Sequence, residues 1–220
     1  MRRSIKRNET GAAEYEVTLN LPDVTLTGDL NVPEEPAGIV IFAHGSGSGR
    51  FSTRNQFVAD QLQEAGMATL LFDLLTQEED QRPGKVPQRF NIPLLGTRMC
   101  YVVDWCEKEH LISDLPIGLF GASTGAAAAL IAAAERARVV RAVVSRGGRP
   151  DLAGDALPRV RAPALFIVGG ADVPVIGLNE SAAAQMTPRP QIEIVPGATH
   201  LFEEPGTLAK VAQLAAGFFA

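Results

Sequence analysis

Cysteine is scarce in this sequence: Cys100 and Cys106 are the only two in 220 residues, in a stretch with helical patterning. A pair so placed makes no disulfide framework, and no His/Cys cluster has zinc-like spacing. No metal or other cofactor is therefore implied. Long apolar runs are missing as well. No window reaches the roughly 18 to 20 uninterrupted apolar residues that a membrane span needs. The basic start, Met1-Arg2-Arg3-Ser4-Ile5-Lys6-Arg7, leads into no apolar run long enough for a signal-peptide core, so a cytoplasmic protein is expected. Positive charge is in deficit, with 20 Lys and Arg against 25 Asp and Glu. The net charge of −5 gives no electrostatic reason to expect nucleic acid or an anionic membrane as a partner. A small diffusible substrate fits better.

What is present is ordinary for a globular protein, 46% hydrophobic and 20% charged. The length suits one domain, since chains divide mainly above about 250–300 residues. That domain is placed over residues 14–220, behind a flexible tail at 1–13. From about residue 38 short apolar runs alternate with helical patterns, as parallel strands joined by crossover helices do. The runs are Gly38–Ala43, Ala68–Phe72, Ile117–Phe120, Val139–Val144 and Ala164–Val168, with the more polar Gln191–Val195 at an edge. Before them, Glu14–Asn20 and Val24–Val32 alternate apolar and polar residues, as an antiparallel hairpin does. Helices are predicted over Ser52–Ala65, Leu94–Glu109, Thr124–Ala137, Leu178–Ala184 and Pro205–Phe219. The fold class is α/β: a mostly parallel sheet with helices on both faces and no cap domain. The long connection Leu75–Asn91 is the one stretch whose length suggests a functional loop.

The central chemical signal is Gly121-Ala122-Ser123-Thr124-Gly125. With 21 glycines and 8 serines, G-x-S-x-G arises by chance in about one such chain in fourteen, so the bare pattern says little. Its position says more. It follows the apolar run Ile117–Phe120 and precedes an alanine-rich helix, the strand-turn-helix setting in which a serine is held in a sharp, exposed turn. A plain Gly/Ser turn between two elements is the competing reading.

A serine hydroxyl needs a base, usually histidine, and the chain has three. His110 sits among Glu107-Lys108-Glu109, on a solvated charged face. His44 ends the first parallel run. His200 lies in Pro196-Gly197-Ala198-Thr199-His200-Leu201-Phe202, between the last strand and the last helix, where a scaffold places catalytic side chains. The imidazole in turn needs an acceptor. Asp172, at the carboxyl end of Ala164–Val168, is favoured and gives the chain order Ser, Asp, His. Asp151 is the alternative acid, although it could cap the turn that follows it. Asp73 reads as a turn residue. Two N–H groups must then face the developing oxyanion. Thr124, after the nucleophile, supplies one. The run His44-Gly45-Ser46-Gly47-Ser48-Gly49 supplies the other, with Ser46 the favoured donor. A phosphate-binding loop fits that run poorly, since no Lys follows its glycines.

With these elements the chain resembles the α/β-hydrolase superfamily over about residues 14 to 219. The motif Ala43-His44-Gly45-Ser46-Gly47-Ser48-Gly49 and the absence of a cap are similar to its dienelactone-hydrolase-like branch. Ser145-Arg146-Gly147-Gly148-Arg149-Pro150-Asp151-Leu152 and the His200 segment resemble a bacterial subgroup of hydrolases sometimes fused to phosphoribosyltransferase domains. The resemblance implies an eight-stranded sheet with Ser123, Asp172 and His200 as a triad. It does not imply dienelactone as substrate, because dienelactone hydrolases proper use a cysteine nucleophile where this chain has Ser123. The expected activity is hydrolysis of a small ester or lactone through an acyl-enzyme. A thioesterase, peptidase or acyltransferase with the same triad and a non-catalytic ligand-binding protein are the alternatives. The expected pocket is open and shallow, lined by the glycine-rich loop, Leu75–Asn91 and Phe202. Arg50, Arg146 and Arg149 fall near strand ends where they could meet a substrate carboxylate. Ordinary surface arginines are the plainer reading, and Arg146 is the first to test.

Overall fold

The computed structural model describes residues 3–7, 11–82 and 87–220, with β1 (Arg3–Arg7) traced as backbone. The remaining strands are β2 (Ala13–Asn20), β3 (Thr25–Val32), β4 (Gly38–Ala43), β5 (Met67–Phe72), β6 (Ile117–Ala122), β7 (Val140–Arg146), β8 (Ala164–Gly169) and β9 (Gln191–Val195). The helices are α1 (Thr53–Glu64), α2 (Gln77–Gln81), α3 (Ile92–Cys106), α4 (Thr124–Glu135), α5 (Val173–Ala183) and α6 (Thr207–Phe219), with 3₁₀ segments at Gln88–Phe90 and Pro150–Arg159. Strands β2 to β9 are the eight expected, two from the alternating hairpin and six from the runs that follow it. β1 adds a ninth, pairing antiparallel with β2 inside the stretch expected to be a tail. Residues 1, 2 and 8–10 of that stretch lie outside the described residues, as do residues 83–86 of the long connection.

The sheet order is β1-β2-β3-β5-β4-β6-β7-β8-β9, antiparallel through β3 and β5 and parallel from β5 to β9. Every residue of β4, β5, β6 and β8 is buried. Helices cover both faces, which is why these strands read as unbroken apolar runs rather than as alternations. On one face Val40 and Phe42 of β4 pack with Val58 and Leu62 of α1 and Val211 and Ala215 of α6. On the other, Ile39 and Ile41 pack with Met99 and Val103 of α3 and Ala127 and Leu130 of α4.

The topology fixes where a ligand can enter. From β4 the chain crosses through α1 to β5, and from β6 it crosses through α4 to β7 on the opposite side. The loops leaving the adjacent strands β4 and β6 therefore diverge and open a crevice at their carboxyl ends. The glycine-rich loop and Ser123 both stand at that crevice. Among the described residues no helix is long and apolar enough to cross a membrane.

Candidate active site

Ser123 joins β6 to α4 with φ 51° and ψ −122°, outside the regions an L-residue ordinarily occupies. Its flanking glycines are required by space. A Cβ on Gly125 would lie 2.1 Å from the Ala43 carbonyl oxygen, and one on Gly121 would lie 2.4 Å from Ala126 Cα. The turn is thus pressed against the end of β4, and Gly45 lies close to Ser123: a Cβ there would stand 3.1 Å from Ser123 Cβ. Three backbone bonds hold the strained residue: Ser123 N–H donates to the Arg146 carbonyl at 3.2 Å, and the Ser123 carbonyl accepts from Arg149 N–H at 3.0 Å and Ala126 N–H at 3.1 Å.

His200 Nε2 lies 3.3 Å from Ser123 Oγ, and His200 Nδ1 lies 2.7 Å from Asp172 Oδ2. The three side chains come from the ends of β6, β8 and β9, spaced 28 and 77 positions from the histidine. Ser123 and Asp172 both occupy the N-cap position of a helix, α4 and α5, and neither side chain makes a capping bond. A cap contributes about 1 kcal/mol. Both side chains forgo it, and both turn toward the same imidazole instead.

Asp151 is committed elsewhere, its two oxygens accepting from Arg149 Nε and Nη2 at 2.8 Å each. Asp73 accepts from Arg50 N–H at 2.8 Å, so it ties the glycine-rich loop to the end of β5. His110 faces Glu109 at 3.2 Å with its side chain exposed. His44 acts as a strut: Nδ1 donates to the Gly45 carbonyl at 2.9 Å and Nε2 accepts from Leu74 N–H at 2.9 Å. Burial lowers its pKa and keeps this neutral form. Thr124 is the first residue of α4, where an N–H has no carbonyl one turn earlier to bond. Ser46 is half-buried in the loop beside Gly45.

A cavity of about 250 Å³ opens on the Ser46 side, bounded by Ser46, Ser48 and Gly49 of the glycine-rich loop, by residues 73–77 and by Leu95. That is below the usual range for drug-sized ligands, roughly 300–1,000 Å³. Phe202 does not line it, contrary to the sequence reading. At φ 57° and 1% exposure the ring turns down into the core between α1 and α6. Two of the three arginines named from the sequence are paired within the chain. Arg50 Nη1 donates to Asp29 at 2.8 Å and Arg149 grips Asp151, so both have their carboxylates within the chain.

Sequence reasoning missed what fixes the cavity wall. Thr76 and Glu79 form a capping box that starts α2, a T-x-x-E signal available in the sequence. Arg98, 2% exposed, donates to Glu79 at 2.7 and 2.8 Å, to Asp23 at 3.0 Å and to the Leu74 carbonyl at 2.9 Å. Those bonds hold the Glu79 pKa at about 2, against an ordinary value of 4.5. A depressed carboxyl pKa gives stability that is complete above the unfolded value and is lost as pH falls through the folded one. Glu79→Gln is therefore expected to unfold about 1–2 kcal/mol more easily than wild type at neutral pH, since solvent screens part of the interaction. Denaturant titrations should show the gap narrowing below pH 4.5 and closing near pH 2; a gap independent of pH would contradict it. No group of three His, Cys, Asp or Glu among the described residues could hold a metal ion.

Comparison with known proteins agrees with this architecture. Residues 36–213 match the family model described as an alpha/beta hydrolase domain. Two curated relatives from Mycobacterium tuberculosis strains, named as candidate phosphoribosyl transferases, are 56% identical over 206 residues. The match takes in 94% of this chain and 46% of theirs, so the chain spans about half the length of those relatives. The crystal structure of a dienelactone hydrolase from Anabaena variabilis superposes with a TM-score of 0.91 at 54% identity, covering 94% of this chain and 97% of that one. Est1E from Butyrivibrio proteoclasticus shares the fold, with a TM-score of 0.76 at 18% identity, covering 93% of this chain and 97% of its own.

Proposed function

Because the chain belongs to the α/β-hydrolase family, we propose that it is a serine hydrolase that cleaves a small carboxylic ester or lactone through an acyl-enzyme. The observation that carries this reading is the continuous row from Ser123 Oγ through the His200 imidazole to Asp172, at 3.3 and 2.7 Å. The longer link is ordinary for an unliganded site, where catalytic hydrogen bonds tighten when substrate binds. With Nδ1–H donated to Asp172, His200 has the Nε2 lone pair free to accept the hydroxyl proton. Ser123 Oγ then attacks the carbonyl carbon, and the Ser46 and Thr124 N–H groups receive the oxyanion. Collapse expels the alcohol, which takes the proton from Nε2. Water, deprotonated by the same nitrogen, releases the acid and restores Ser123.

The small cavity beside Ser46 supports short acyl chains. The name of the mycobacterial relatives points to phosphoribosyl transfer, yet the chain matches under half of their length. The triad row favours acyl hydrolysis for the matched part. The same row would serve thioesters, amides or acyl transfer, so the test compares leaving groups and acceptors. Purified protein is expected to react covalently with a fluorophosphonate probe at Ser123. It should also turn over short acyl esters and lactones faster than size-matched thioesters or amides. If the probe fails to react and no acyl substrate turns over, a ligand-binding role replaces this reading.

A further inference from the structure

The proposed chemistry leaves one charged side chain without a use, and it stands beside the nucleophile. Arg146 ends β7, and its carbonyl accepts the Ser123 N–H. The residue is only 7% exposed, and none of the ion pairs among the described residues involves it. Nη2 makes a 3.4 Å contact with Asn55 Oδ1, while Nε and Nη1 are buried without a hydrogen-bond partner. Burial, with the neighbouring Arg54 cation adding to it, pulls the guanidinium pKa down to about 10. Arg98 is buried too, but it has two carboxylates against it. A buried ion without a counter-charge costs several kcal/mol, and such breaches of the pairing rule concentrate at functional sites.

Other features converge on the same wedge. Asn55 is the third residue of the twelve-residue helix α1, so the guanidinium reaches the first turn, where Ser52 caps the Asn55 N–H and the positive helix end favours an anion. Arg54, one position earlier, holds the mostly exposed Glu203 at 3.0 Å, and its Nε is buried and unbonded. Glu203 belongs to the loop that carries His200. Gly147, next to Arg146, lies under that loop, where a Cβ would stand 2.9 Å from the His200 carbonyl oxygen. Arg146, the first turn of α1 and the His200–Glu203 loop therefore meet next to the reacting side chains.

We propose that Arg146, Arg54 and the first turn of α1 bind a small oxyanion, a carboxylate or phosphate group carried by the substrate. The inference rests on the serine-hydrolase reading only in assigning that anion to a substrate. An entering anion takes Arg54 from Glu203. Exposed pairs of this kind contribute about 0–1 kcal/mol, so little opposes the exchange. Arg146 then acquires the counter-charge that its burial demands, in the bidentate geometry a guanidinium favours.

The test measures inhibition of neutral short-ester hydrolysis by inorganic phosphate and by acetate at constant ionic strength, with unfolding temperature as a readout that needs no turnover. At least one anion should compete with the ester and raise the unfolding temperature. Arg146→Gln should weaken its binding about tenfold or more, and Arg146→Lys should retain part of it. Glu203→Gln should strengthen binding by removing the competing carboxylate, an effect that a purely structural Arg146 would not produce. Esters matched in size but bearing a carboxylate or a phosphate then separate the two sources of the anion. The favoured one should lose its kcat/KM advantage over the neutral ester in Arg146→Gln. If Arg146→Gln does not fold, Arg54→Gln and Glu203→Gln carry the comparison. The proposal fails if neither anion exceeds chloride, or if inhibition persists unchanged in the arginine variants. A protein that binds phosphate here but hydrolyses no acyl substrate would overturn the function above and leave this site standing.

Discussion

Ser123→Ala is expected to lower the turnover of a short acyl ester by at least about a thousandfold, with the fold and melting temperature unchanged. The two halves of that expectation have separate causes. Activity falls because the hydroxyl is the nucleophile in the proposed scheme, and water held by the remaining oxyanion donors replaces it poorly. Stability survives because the Ser123 side chain, although at an N-cap, makes no capping bond that alanine would remove. The positive φ is imposed by the backbone bonds to Arg146 and Arg149, which alanine keeps. Initial rates and thermal melts on the same preparation check both halves. A variant that keeps more than a few per cent of wild-type turnover while folded would remove Ser123 from the mechanism.

The parts of the fold legible in the sequence are those set by burial on both faces. β4, β5, β6 and β8 are apolar apart from Thr69, whose hydroxyl accepts from Gln63, because no residue in them meets water. Helix starts were harder to read. α3 begins at Ile92 and α5 at Val173, earlier than the periodicity suggests, because each has a proline in its first turn. Pro93 and Pro174 read as loop residues unless the preceding Asn91 and Asp172 are recognised as N-caps. β1 carries three cations in five residues and pairs at the sheet edge, a choice that no local pattern announces.

That Ser123, His200 and Asp172 would meet was legible, because a serine, an imidazole and a carboxylate at strand ends follow a restricted chain order. The arginine partners were not. Arg98 finds Asp23 across 75 positions and Arg50 finds Asp29 across 21, pairings that depend on sheet order rather than on spacing. The same ignorance made Arg50, Arg146 and Arg149 equivalent in the sequence. Only coordinates separate the two with carboxylates of their own from the one without.

Asp172→Asn is expected to reduce kcat/KM at neutral pH by about a thousandfold or more, nearly as much as removal of the nucleophile. Asparagine keeps the size of the side chain but turns one oxygen into an N–H donor. Facing that donor, His200 Nδ1 becomes an acceptor and the ring proton moves to Nε2. The nitrogen 3.3 Å from Ser123 then has no lone pair for the hydroxyl proton. The melting temperature should hold, since Asp172 does not cap α5 and asparagine is itself a good N-cap. Asp151→Asn is the matched control: its carboxylate grips Arg149 on a partly exposed segment, and turnover should stay within a few-fold of wild type. Loss of activity in Asp151→Asn with Asp172→Asn spared would assign the acid to the end of β7 instead. The 2.7 Å contact between His200 and Asp172 would then have no part in proton transfer.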